Sequence, residues 1–186
     1  MKNRLIIAVL ALSMTAAYSC KTDKKPQADD HRATEQHDHA SHKDGADDRK
    51  QESVTFKDEK TGQVYDHYIH VKAALVNTDA GEAQKGARML VTALSENDNA
   101  DKALQFARAI EASEDVEAQR ESFFGLSEEI TGLVSGQIAS GAVYKQYCPM
   151  AFNNKGASWL SSEEAVLNPY FGDKMLKCGT VEEVLE

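Results

Sequence analysis

The 186-residue chain is poor in the features that mark an enzyme or a nucleic-acid binder. It has only three prolines, three cysteines and one tryptophan, and its 21 Lys and Arg are outnumbered by 30 Asp and Glu, giving a formal net charge of -9. That shortage of basic residues argues against nucleic acid and against electrostatic docking on an anionic bilayer, since both want clustered Lys and Arg. There is no glycine-rich phosphate loop, no H-E-x-x-H pair and no Ser-His-Asp set in recognisable context. A Cys148 nucleophile would have only His67 and His70 of the folded region as candidate bases. A non-enzymatic protein is expected. The apolar run Leu5 to Leu12 is far shorter than the roughly 20 residues a spanning helix needs.

That run has another use. Lys2 and Arg4 precede it, small residues follow, and "AAYSC" closes it at Cys20, the pattern of a secretory signal peptide over residues 1–19. "AYSC" also resembles a bacterial lipoprotein box, which implies cleavage before Cys20, lipidation of that cysteine and attachment to the cell envelope, facing the periplasm. The cysteine count agrees: with Cys20 given to lipid, Cys148 and Cys178 remain as a pair in an oxidising space. Removing residues 1–19 takes Lys2 and Arg4 from the 21 basic residues and nothing from the 30 acidic ones, so the mature charge is 19 minus 30, or -11. The lipid, rather than charge, would supply the membrane contact.

From Lys21 to Glu52 the apolar residues are four alanines, too few to bury a core, so residues 20–52 read as a lipidated cysteine followed by a disordered tether. "HDHASH" places His37, His39 and His42 together in it, a set of imidazoles able to hold copper, zinc or nickel weakly.

Residues 53–186 suit a single domain. Val64, Tyr68, Val71 and Leu75 recur at helical spacing, then Ala83, Ala87, Leu90 and Leu94, then Ala103, Ala107 and Ile110 behind a capping Asp101. Asp115 opens a fourth helix, with Val116, Phe123, Ile130, Val134 and Ile138 inward. The expected fold is all-α: an up-down four-helix bundle with an irregular C-terminal cap from about residue 142. Trp159, Tyr170 and Phe171 are expected to anchor the cap.

The cap carries two sulfur pairs, Cys148 with Met150 in "YCPM" and Met175 with Cys178 in "KMLKC". Thiolates and thioethers are the donors that Cu(I) and Ag(I) prefer, and Pro149, Gly172 and Gly179 shape loops that can bring the four together. The same cysteines equally suit a structural disulfide, contributing about 3 to 4 kcal/mol in the chain-entropy model, and the methionines equally suit packing. His67 and His70, at i and i+3 of the first helix, form a second candidate chelating pair.

"VYDHYIHVKAALVNTDAGEAQKGARML" and "YCPMAFNNKGASWLSSEEAVLNPYFGDKMLKCGTVEEVL" resemble the helix pair and C-terminal signature of the domain-of-unknown-function family 3347. The resemblance implies a secreted bacterial helical domain, found on lipoproteins or on periplasmic adaptors of heavy-metal efflux pumps and associated with copper. "YCPM" is also similar to cysteine-proline-methionine motifs of heavy-metal-binding domains, with Ala151 and Phe152 where a histidine often follows. The expected function is a lipid-anchored copper-binding protein serving metal tolerance or efflux. The alternative is a non-catalytic envelope interaction module held by a Cys148–Cys178 disulfide.

Overall fold

The computed structural model describes residues 53–186. The expected signal peptide, Cys20, and the tether with His37, His39 and His42 lie outside the described residues.

Four helices form the helical bundle: α1 (Glu59–Val76), α2 (Ala80–Ser95), α3 (Asp101–Ala112) and α4 (Val116–Val134). Each packs on the next, and α1 closes against α4. Their starts follow from capping chemistry. Asp58, Asp79 and Asp115 accept hydrogen bonds from backbone N–H groups of the first turns of α1, α2 and α4, satisfying donors that a helix leaves open. Asp101 does not act this way: it is the first residue of α3, after Ala100, and no side chain caps that helix.

The apolar stripes lie inward as spaced. Val64, Tyr68, Val71, Leu75, Ala83, Ala87, Leu90, Leu94, Ala107, Ile110, Phe123 and Ile130 are all buried, and each large aliphatic or aromatic side chain so removed from water contributes about 1.5–3 kcal/mol. Val116 is only partly buried. Ile138 does not extend α4, because the helix stops at Val134 and Gly136 takes a left-handed φ of 72°. Instead Ile138 opens β2 (Ile138–Ser140), which pairs antiparallel with β1 (Thr55–Phe56).

The all-α expectation fails in the cap. Residues from Val143 form a three-stranded antiparallel sheet, order β4-β3-β5, with β3 (Val143–Cys148) between β4 (Ala157–Ser161) and β5 (Thr180–Leu185). These strands are short and their alternation is broken by a bulge at Lys145/Gln146, so they carry little period-2 signal. β4 lies on the bundle. Leu160 N donates to Tyr68 Oη at 2.9 Å, Tyr68 Oη pairs with Ser127 Oγ at 2.8 Å, and Trp159 is buried edge-on to Tyr170 at 5.8 Å between ring centroids.

Arg120 ties the loop between β4 and β5 to the bundle. Buried on α4, it donates from Nε to Pro169 O at 2.8 Å, from Nη2 to Leu75 O and Thr78 Oγ1 at 3.1 Å each, and pairs through Nη1 with Glu117 at 2.8 Å. The guanidinium is thus compensated on every side, as a buried charge must be. Among the described residues no helix is long and apolar enough to cross a membrane.

Candidate functional site

The two cysteines meet at one corner of the cap. Cys148 is the last residue of β3 and fully buried; Cys178 precedes β5 and is half-buried. Because Tyr147 stands opposite Thr180 in the β3–β5 ladder, the neighbouring cysteines arrive side by side, with 2.8 Å between their sulfurs. Both are free thiols.

Three local devices hold Cys178 there. Its N–H donates to Met175 O at 3.0 Å, closing a turn. Its carbonyl accepts from Asn168 Nδ2 at 2.7 Å, while Asn168 Oδ1 accepts from the N–H groups of Tyr170 and Phe171 at 2.8 and 3.3 Å. Gly179 has φ 142°, and a Cβ on it would stand 2.9 Å from both the Trp159 ring and Tyr147 O, so only glycine lets the strand approach this closely.

Beyond Cys148 the chain makes an unusual turn. Pro149 and Met150 lead into α5 (Ala151–Asn154), where Phe152, Asn153 and Asn154 have φ of 49°, 59° and 65°. Asparagine accepts the left-handed region readily, whereas a bulky residue seldom does. Phe152 is kept there by ring contacts with Phe124 at 5.5 Å and Tyr170 at 5.2 Å. Strained backbone of this kind gathers at binding and catalytic sites.

Met150 and Met175 line one open groove of about 570 Å³, walled by Phe152, Tyr170 and Phe171 and rimmed by Glu117, Glu121 and Lys174. Met150 is 47% exposed, too open to be a packing residue. The corner therefore offers two adjacent thiols and, two and three residues away along the chain, two thioethers sharing a groove. The donors are soft throughout. The hydrogen bond with Cys148, followed by burial, pushes the Cys178 thiol up to about 11, so any metal taking it as thiolate must displace a proton.

His67 and His70 lie on α1, and His70 turns to α2. Both are half-buried on α1, and His70 Nε2 meets Glu82 Oε1 of α2 at 2.8 Å, with its ring against Gly86. Lys85 and His70 together hold the Glu82 carboxyl below its usual range. Among the described residues no three His, Cys, Asp or Glu side chains gather as a metal-binding group, so a cation at the sulfur corner would rest on two thiols aided by methionine. Asn168 and the left-handed turn escaped the sequence reading, whereas Gly179 was expected to shape its loop. "NPYFG" and "FNNKG" do carry turn signals there, but their geometry depends on which strands they join.

No curated protein and no solved structure matches the chain. Residues 64–140 match the family model described as "Protein of unknown function (DUF3347)", a span running from α1 through β2. The match stops short of β3, so the sulfur corner and the C-terminal stretch from Tyr147 lie outside it. Through those residues the chain carries a DUF3347 domain.

Proposed function

We propose that the protein binds a soft monovalent metal ion, Cu(I) or Ag(I), at Cys148 and Cys178, and that it works as a lipid-anchored envelope protein in metal tolerance, buffering the ion or passing it to an efflux system. The observation that carries this reading is the 2.8 Å approach of the two thiols, with Met150 and Met175, two and three residues away along the chain, lining one groove. Thiolate and thioether are the donors that select such ions over Zn(II) or Mg(II), and a d10 monovalent ion accepts low coordination numbers. Met150 and Met175 are placed to receive the ion from solvent or return it, since their groove is open. The reading is non-catalytic. His70 is committed to Glu82.

The same approach of the sulfurs supports a second reading, an interaction module closed by a Cys148–Cys178 disulfide in an oxidising compartment. Titration of the reduced chain with Ag(I) separates the two. The metal reading expects about one ion bound per chain, tight binding lost in Cys148→Ser/Cys178→Ser, and a smaller loss in Met150→Leu or Met175→Leu, because hydroxyls are poor donors and thioethers are neutral ones. Absence of binding in the parent would sink it and leave the disulfide module. Undiminished binding in the double-serine variant would move the ion to the histidines.

A further inference from the structure

Cys148 and Cys178 are neighbours with unequal access to solvent. Cys148 is 0% exposed: it ends β3 opposite the buried Ala157 of β4, and Ala151, just beyond it in the chain, is buried too. Cys178 is only partly buried. It stands in the turn closed by its own N–H on Met175 O, before β5 begins at Thr180, and so lies outside the β3–β5 ladder. A disulfide opens when a thiolate attacks one of its sulfurs and expels the other, and access decides which sulfur is attacked. Unequal burial therefore gives the reaction a direction.

We propose that this corner is a thiol–disulfide exchange site entered through Cys178: an external thiolate attacks Cys178 Sγ of the Cys148–Cys178 disulfide, and Cys148 is the leaving sulfur. The protein S–S bond breaks, its electron pair leaves on Cys148, and a new S–S bond joins Cys178 to the reductant. Cys148 then takes up a proton, replacing the one the incoming thiol released. A second external thiolate attacks the reductant's sulfur in the mixed disulfide and frees Cys178, which takes up a proton in turn. Two external thiols have become one disulfide, and the protein disulfide has become two thiols. Until that second step Cys148 can return to Cys178 and expel the reductant, since the free sulfurs lie only 2.8 Å apart. The inference rests on the disulfide reading of the corner and links it to the metal reading, because a disulfide has no thiolate to offer a soft ion until an external thiol opens it.

The full-length chain with Cys20→Ser keeps Cys148 and Cys178 as its only cysteines. After oxidation, thiol titration shows whether the bond has formed; the chain is then treated with reduced glutathione, quenched rapidly with iodoacetamide and mapped by peptide mass spectrometry. Glutathione on Cys178 with the alkyl group on Cys148 should exceed the reverse isomer by about tenfold or more. In unfolding urea the two isomers should approach parity, because the preference comes from burial. A chain that keeps both thiols titratable after oxidation would remove the disulfide reading and this inference with it. Once the disulfide has formed, three results would overturn the inference alone: a folded bond that glutathione cannot open, glutathione on Cys148 as often as on Cys178, or a preference for Cys178 that persists undiminished in urea.

Discussion

Oxidising Cys148 and Cys178 to a disulfide links positions 30 residues apart. In the chain-entropy model a loop of that size removes about 12 cal/mol/K from the unfolded chain, which raises stability by about 3.6 kcal/mol at 25 °C. Strain in the folded state should subtract little, because the sulfurs are already 2.8 Å apart and held by the strand register and by Asn168, against about 2.05 Å in the bond. For a domain of this size each kcal/mol moves Tm by about 3–5 °C, so the oxidised protein should melt about 11–18 °C above the reduced one. Thermal melts followed by circular dichroism, with thiol titration confirming each state, measure the difference. The Cys148→Ser/Cys178→Ser variant should ignore the oxidant. If protein with no titratable thiol melted within about 2 °C of the reduced form, the loop-entropy reasoning would fail. If oxidation yielded only dimers linked between chains, the placement of the two sulfurs would be wrong.

Two other outcomes follow from the packing and the protonation of this corner. Gly172 has φ 53°, and a Cβ there would collide with Thr78 Oγ1 and stand 2.8 Å from Arg120 Nη2; Gly172→Ala should lower stability by about 2–4 kcal/mol through backbone strain and displacement of buried hydrogen bonds, read by urea unfolding, and a parent-like midpoint would refute it. Cys178 is raised from an ordinary thiol value of 9.0 to about 11 by its bond with Cys148 and by burial, so the folded reduced protein holds that proton more tightly than the unfolded chain. Its contribution is therefore complete below pH ~9 and lost as pH climbs through ~11. The Tm of the reduced protein should fall faster over that window than that of the oxidised protein, and parallel slopes would show that the thiol pair is not coupled as described.

Much of the bundle is legible in residue order because helix formation and capping are local. The steps of three and four linking Val64, Tyr68, Val71 and Leu75, and the aspartates before α1, α2 and α4, act within a turn or two of themselves. Where local signals compete the reading slips. Ile138 extends the α4 spacing on paper, but Gly136 turns left-handed and Phe56, more than eighty residues earlier, recruits it into a strand. The cap strands were hidden for the same reason: β3 is held by β4 on one side and β5 on the other, and Gln146 Nε2, which donates to the carbonyls of Glu163, Glu164 and Ala165, meets those partners only once the loop has closed.

By itself, residue order determined that Cys148, Met150, Met175 and Cys178 share a soft-donor chemistry, that the chain is acidic, and that the stretch now seen as α1 to α4 folds as helices. Those are properties of side-chain type and of spacing within a few residues. Only the tertiary structure decided that the two cysteines touch while His70 is drawn to Glu82 on α2, and that Lys72 lies buried beside a cavity. Each of those depends on which backbone segments pair across long stretches of chain. The register of β3 with β5 places Cys178 beside Cys148, and the packing of β4 on α1 covers Lys72 with Ser161.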